Sequence, residues 1–113
     1  MQGLAFLVEG TLMTIDVLYF EGCPNHAPTL QGIRDVLREL CVDVEVREIE
    51  VKNTEEAFRL RFFGSPTVQV DGEDIDPAVR GRTDYSFSCR VYGRSGIPPR
   101  AMIERAIRER FGA

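Results

Sequence analysis

TIDVLYFEGCPNH, residues 14–26, decides how this chain is read. Its first seven residues are rich in β-branched and aromatic side chains and stop at Glu21-Gly22, which predicts a strand over 14–20 closed by a turn. The run is nearly continuous in apolar character, as expected of a central strand covered on both faces. Pro24 then supplies the fixed φ that suits a helix start. Beyond it Leu30, Ile33, Val36, Leu37 and Leu40 recur at three- and four-residue spacing, with Arg34, Asp35, Arg38 and Glu39 opposite, so an amphipathic helix is predicted over 27–40. Cys23 stands at the junction where strand gives way to helix.

Downstream, residues 42–51 alternate Val42, Val44 and Val46 with Asp43, Glu45 and Arg47, the period of a second strand. Asn53 or Thr54 caps a short helix through Phe62, with Glu55 and Glu56 at its positive end and Gly64 as its left-handed stop. A third strand over 66–70 is turned by Asp71-Gly72. A fourth is predicted over 85–92, with Tyr85, Phe87, Cys89 and Val91 on one face, after a long loop carrying Asp74, Asp76, Pro77, Arg80, Arg82 and Asp84. The last helix starts at Pro99 or Arg100 and buries Met102, Ile103, Ala106 and Ile107. The order is βαβαββα. Its first half is a right-handed crossover that makes strands one and two parallel, and its last two strands pair antiparallel. The fold class is therefore α/β in three layers, a four-stranded mixed sheet with helices on both faces.

A length of 113 residues fits one small domain. We divide it into an N-terminal extension over 1–13, loosely attached, and a domain over 14–113. The 14 basic and 18 acidic residues leave a net charge of -4, which argues against nucleic acid or an anionic membrane as the main partner. No apolar run approaches the roughly 20 residues of a membrane span. The extension has neither a basic start nor a small-residue cleavage site, and the three cysteines are unevenly spaced, so a reduced, cytoplasmic protein is expected.

Two short motifs carry the chemistry, Gly22-Cys23-Pro24-Asn25-His26 after strand one and Gly64-Ser65-Pro66-Thr67 before strand three. A thiolate is the reactive form of cysteine, and the free N–H groups and positive end of a helix stabilise it at Cys23. The plainer alternative is a capping cysteine without chemistry. His26 lies three residues on and returns to the same side of the helix. It either assists the thiol as imidazolium or base, or is a surface residue of the first turn. Cys89 is either a small core residue or a resolving thiol for Cys23, while Cys41 ends the first helix as a structural residue. Arg80, Arg82, Arg90 and Arg94 are either solvated charges or a rim for an anionic ligand.

With these two motifs in this order, the chain over residues 14–111 resembles the thioredoxin-like superfamily, in particular small bacterial thioredoxin-family proteins, some of which bear an alkylmercury lyase label. The resemblance implies Cys23 as the reactive thiol, a cis bond at Pro66, and ligand contacts from Pro24, Ser65, Pro66 and Thr67, with Ser65 offering backbone hydrogen bonds. His26 stands where a dithiol motif would have its second cysteine, so an adjacent disulfide is ruled out. The function expected is a thiol oxidoreductase or thiol-transfer protein with one nucleophile, Cys23. It acts without a cofactor on a thiol or disulfide such as glutathione or a protein disulfide, with Cys89 or an external thiol completing the exchange. Two alternatives stand beside it: capture of a soft metal such as mercury or copper by Cys23, His26 and Cys89, and a redox-inert interaction module.

Overall fold

The computed structural model describes residues 13–111. The extension read from the sequence lies, except for Met13, outside the described residues. Met13 itself packs against the main core and so belongs with the domain. Strand β1 (Thr14–Tyr19) is followed by helix α1 (His26–Leu40), β2 (Glu45–Glu50), a short α2 (Thr54–Arg59), β3 (Thr67–Val70), a two-residue β4 (Glu73–Asp74), one turn of 3-10 helix (Pro77–Val79) and α3 (Arg100–Phe111). The sheet order is β2-β1-β3-β4. β1 runs parallel to β2 and antiparallel to β3, and β3 pairs antiparallel with β4. The class is α/β with a four-stranded mixed sheet, as expected.

Strand pleating sends alternate residues of β1 to opposite faces. Ile15 and Val17, opposite Val70 and Val68 of β3, meet Leu30, Ile33, Val36 and Leu37 of α1 and Ile103, Ala106 and Ile107 of α3 in the main core. Ile33 and Ile107 are fully buried, each contributing roughly 1.5–3 kcal/mol. On the other face Leu18 joins Val51, Ala57 and Phe62 in a smaller core under α2. Asp16, the one charge in β1, is nearly buried there, and the parallel register places Arg47 directly across from it. The guanidinium forks onto the carboxylate at 2.7 and 3.0 Å.

Two elements differ from the sequence expectations. The predicted fourth strand over 85–92 is no strand; β4 instead follows β3 at once, because Asp71-Gly72 closes a two-residue hairpin with φ of 52° and 84°, pairing Val70 with Glu73. Residues 85–92 form an irregular strap that runs beside the entry to β3, paired with it through an isolated parallel bridge between Ser65 and Cys89. Helix α2 stops at Arg59, with Arg61 rather than Gly64 taking the left-handed conformation, φ 59°. Gly64 has φ 113° and is needed for a second reason: a Cβ there would lie 3.0 to 3.1 Å from Arg90 atoms.

Candidate functional site

Cys23 follows the end of β1, in a turn that Gly22 makes at φ 87°. Its N–H donates to Phe20 O at 3.2 Å, and its carbonyl accepts from His26 N at 3.3 Å, so the cysteine is fixed by main-chain bonds on both sides. Helix α1 begins three residues later, capped by position at Asn25, whose side chain makes no capping hydrogen bond. That side chain lies instead against Gly96, where any added Cβ would overlap Asn25 Nδ2. The loop before α3 is thereby packed onto the turn that carries the thiol. Cys23 is half-buried, while Cys41 and Cys89 are exposed; all three are free thiols.

The second motif meets the first through one hydrogen bond. Phe20 N donates to Ser65 Oγ at 3.3 Å, joining the end of β1 to the entry of β3. The Ser65-Pro66 peptide bond is cis. Ser65, Pro66 and Thr67 are all buried, whereas Pro24 is exposed. Thr67 spends its hydroxyl internally, donating to Gly64 O at 2.6 Å and accepting from Phe63 N at 3.2 Å. It locks the turn rather than facing solvent. The backbone of Ser65 is likewise engaged, its N–H by Ser88 O at 2.8 Å and its carbonyl by Arg90 N at 3.0 Å.

His26 has partners of its own. Its ring stacks on Tyr19 with centroids 3.7 Å apart and planes 10° from parallel. Nε2 lies 2.9 Å from Glu48 Oε1, at ion-pair distance, yet it is buried and makes no aligned hydrogen bond. Among the described residues no hydrogen bond joins the imidazole to the Cys23 thiol; main-chain atoms make the recorded link between the two residues. Cys89 is exposed, which corrects the expectation of an apolar-facing core cysteine. The phase of the strap is the reverse of that read from the sequence: Arg90 and Tyr92 are buried, and Val91 is 68% exposed. Cys89 lines a depression of about 500 Å³ with Phe20, Glu21, Glu50, Val51, Lys52, Phe87 and Ser88, beside the turn that leads to Cys23. Among the described residues no three His, Cys, Asp or Glu side chains are grouped to hold a metal ion. Cys23, His26 and Cys89 therefore do not converge as the metal-capture alternative requires.

The residue the sequence reading undervalued is Arg90. Its guanidinium is 6% exposed and forks onto Asp74 at 2.7 and 3.0 Å, with Asp76 at 3.8 Å and the Tyr92 ring centroid at 4.4 Å. Burial alone pulls the pKa of Arg90 down, but the hydrogen-bonded Asp74 and the neighbouring acids outweigh it, and the net shift is upward. Tyr92 donates its hydroxyl to Pro66 O at 2.6 Å, and burial pushes its phenol above the ordinary range despite the opposing pull of Arg90. Neither Arg80, Arg82 nor Arg90 is simply solvated: Arg80 Nε donates to Asp74 O at 2.8 Å, and Arg82 pairs with Asp84. The signal available in the sequence was Asp71-Gly72, whose hairpin preference places Asp74 on the same face as Gln69 and within reach of a cation from the strap.

No protein-family model matches the chain, and no curated protein matches it. Among the described residues no helix is long and apolar enough to cross a membrane.

Proposed function

We propose that this is a thioredoxin-like, single-thiol protein in which Cys23 attacks an electrophilic sulfur. The observation that carries the reading is the hydrogen bond from Phe20 N to Ser65 Oγ at 3.3 Å, because it brings the β1–α1 turn bearing Cys23 beside the cis Ser65-Pro66 bond. The sheet order β2-β1-β3-β4, with β1 and β2 parallel and β3 and β4 antiparallel, supports the same reading. In it, Cys23 is the attacking sulfur, and the positive end of α1 begins three residues beyond it. With His26 in place of a second cysteine, a disulfide substrate leaves Cys23 in a mixed disulfide that a second thiol must resolve.

The test uses the other two cysteines as internal references. Cys41 and Cys89 are exposed and Cys23 is half-buried, so accessibility alone predicts that Cys23 alkylates last. We expect the opposite order with iodoacetamide at pH 7, Cys23 reacting at least about tenfold faster than Cys41. Residue-resolved mass spectrometry gives the three rates in one experiment. Cys23 reacting no faster than Cys41 would overturn the proposal.

A further inference from the structure

A peptide that brought its disulfide to Cys23 in extended form would need unpaired main-chain groups on the sheet beside it, and Ser65, whose Oγ accepts from Phe20 N at the end of β1, is the strand entry joined to the Cys23 turn. Those groups are taken. The Ser65 N–H donates to Ser88 O at 2.8 Å and the Ser65 carbonyl accepts from Arg90 N at 3.0 Å, a full parallel bridge centred on Cys89. The strap that makes this bridge is tied down on both sides. Upstream, Ser86 N donates to Phe62 O at 3.0 Å and the Phe87 ring packs edge-on against Phe20 at 5.5 Å. Downstream, the Arg90 guanidinium is forked onto buried Asp74, Tyr92 holds Pro66 O, and Gly96 is pressed against Asn25.

We infer that the strap over residues 85–92 is a built-in strand that keeps extended peptides off the Ser65 edge and restricts Cys23 to low-molecular-weight disulfides. The inference rests on Cys23 being the nucleophile. The depression of about 500 Å³ walled by Phe20, Glu21, Glu50, Lys52, Phe87 and Cys89 shares Phe20 and Glu21 with the turn that leads to Cys23, and in this inference it receives one half of such a molecule. Its walls mix two aromatic rings with one cation, Lys52, and two carboxylates, Glu21 and Glu50, which suits a small group with an aliphatic stem and polar ends. In the exchange, the Cys23 thiolate attacks one sulfur of R–S–S–R. The S–S bond breaks, the Cys23–S–S–R bond forms, and RS⁻ leaves and takes a proton from solvent. Cys23 is oxidised to the disulfide level while the departing half is reduced to a thiol. A second low-molecular-weight thiol then attacks the mixed disulfide and returns Cys23 to the reduced form.

The experiment compares two probes with the same leaving group: 2-hydroxyethyl disulfide, and an extended ten-residue peptide whose single cysteine is disulfide-linked to mercaptoethanol. Adduct formation on the intact protein is followed residue by residue, with exposed Cys41 correcting for the intrinsic reactivity of each probe. We expect the small probe to be favoured at Cys23 by at least about tenfold over its preference at Cys41. Amide hydrogen exchange at Arg90 should stay slow while the peptide is present. Equal preference at the two cysteines, or loss of Arg90 protection on adding peptide, overturns the inference and leaves the nucleophile intact. A Cys23 that outpaces Cys41 with neither probe overturns the nucleophile, and the inference with it.

Discussion

Arg90 grips Ser65 with its main chain and Asp74 with its side chain, so one residue pins the strap both to the entry of β3 and to β4. A buried ion pair of this kind is weak evidence of net stabilisation, because desolvation offsets most of the attraction. Removing one partner is another matter, since it leaves an uncompensated charge in the interior. Arg90→Leu or Asp74→Leu alone should each cost roughly 3–5 kcal/mol, and the double variant clearly less than their sum. Urea denaturation of the four proteins in the cycle measures this. Additive losses would mean that the two side chains are not energetically coupled.

Gly64 and Gly22 both have positive φ, 113° and 87°, but only Gly64 has main-chain atoms crowding the missing Cβ. Gly22→Ala should therefore show conformational strain alone, roughly 1–2 kcal/mol. Gly64→Ala adds a clash with Arg90 N and Cα at 3.1 Å, backbone atoms that move only if the strap moves. It should be the more destabilising change and should release the Arg90 amide to faster exchange. Thermal unfolding with hydrogen exchange at Arg90 separates strain from displacement. Equal losses at the two glycines would argue that the strap yields freely.

Tyr92 gives the stability a signature at high pH. Burial raises its folded-state pKa above the unfolded value of 10.0. The folded chain then keeps the phenolic proton when the unfolded chain has begun to lose it, so the contribution is fully present below about pH 10 and is lost as pH rises beyond. The denaturation midpoint should fall as pH rises from about 10, and Tyr92→Phe should reduce that slope while lowering stability at neutral pH through loss of the bond to Pro66 O. An unchanged slope in Tyr92→Phe would show that the phenol ionises alike in both states.

The order of elements through β3 was legible because each signal was local: β-branched residues in β1, three- and four-residue spacing in α1, alternation in β2. The position of β4 was also locally encoded, in Asp71-Gly72, but the alternating run from Tyr85 to Val91 offered a competing strand. That run fails as a strand because its alternation belongs to tertiary contacts. Arg90 is drawn inward by Asp74, sixteen residues away, and its neighbours Cys89 and Val91 turn outward as a result. Periodicity cannot report a cation that is buried only because a distant carboxylate awaits it. The two motifs were visible for the opposite reason, each being a compact turn with its own glycine and proline. That the Ser65 backbone would be engaged by the chain itself was not visible, since it depends on the path of the strap.

The stack of His26 on Tyr19 yields the last prediction. Spacing alone puts His26 on the same side of the helix as Cys23, one turn on, but the imidazole is parallel to the Tyr19 ring and near Glu48. An aromatic pair of this kind contributes about 0.5–1.5 kcal/mol beyond its buried area. His26→Gln should therefore lower stability by about that amount and leave the rate of Cys23 alkylation at pH 7 within about twofold, since among the described residues no hydrogen bond joins the imidazole to the thiol. Tyr19→Leu removes the stack while keeping the imidazole, and should reproduce the loss of stability. Were the imidazole the activating group, His26→Gln would slow alkylation about tenfold, whereas Tyr19→Leu would preserve the rate.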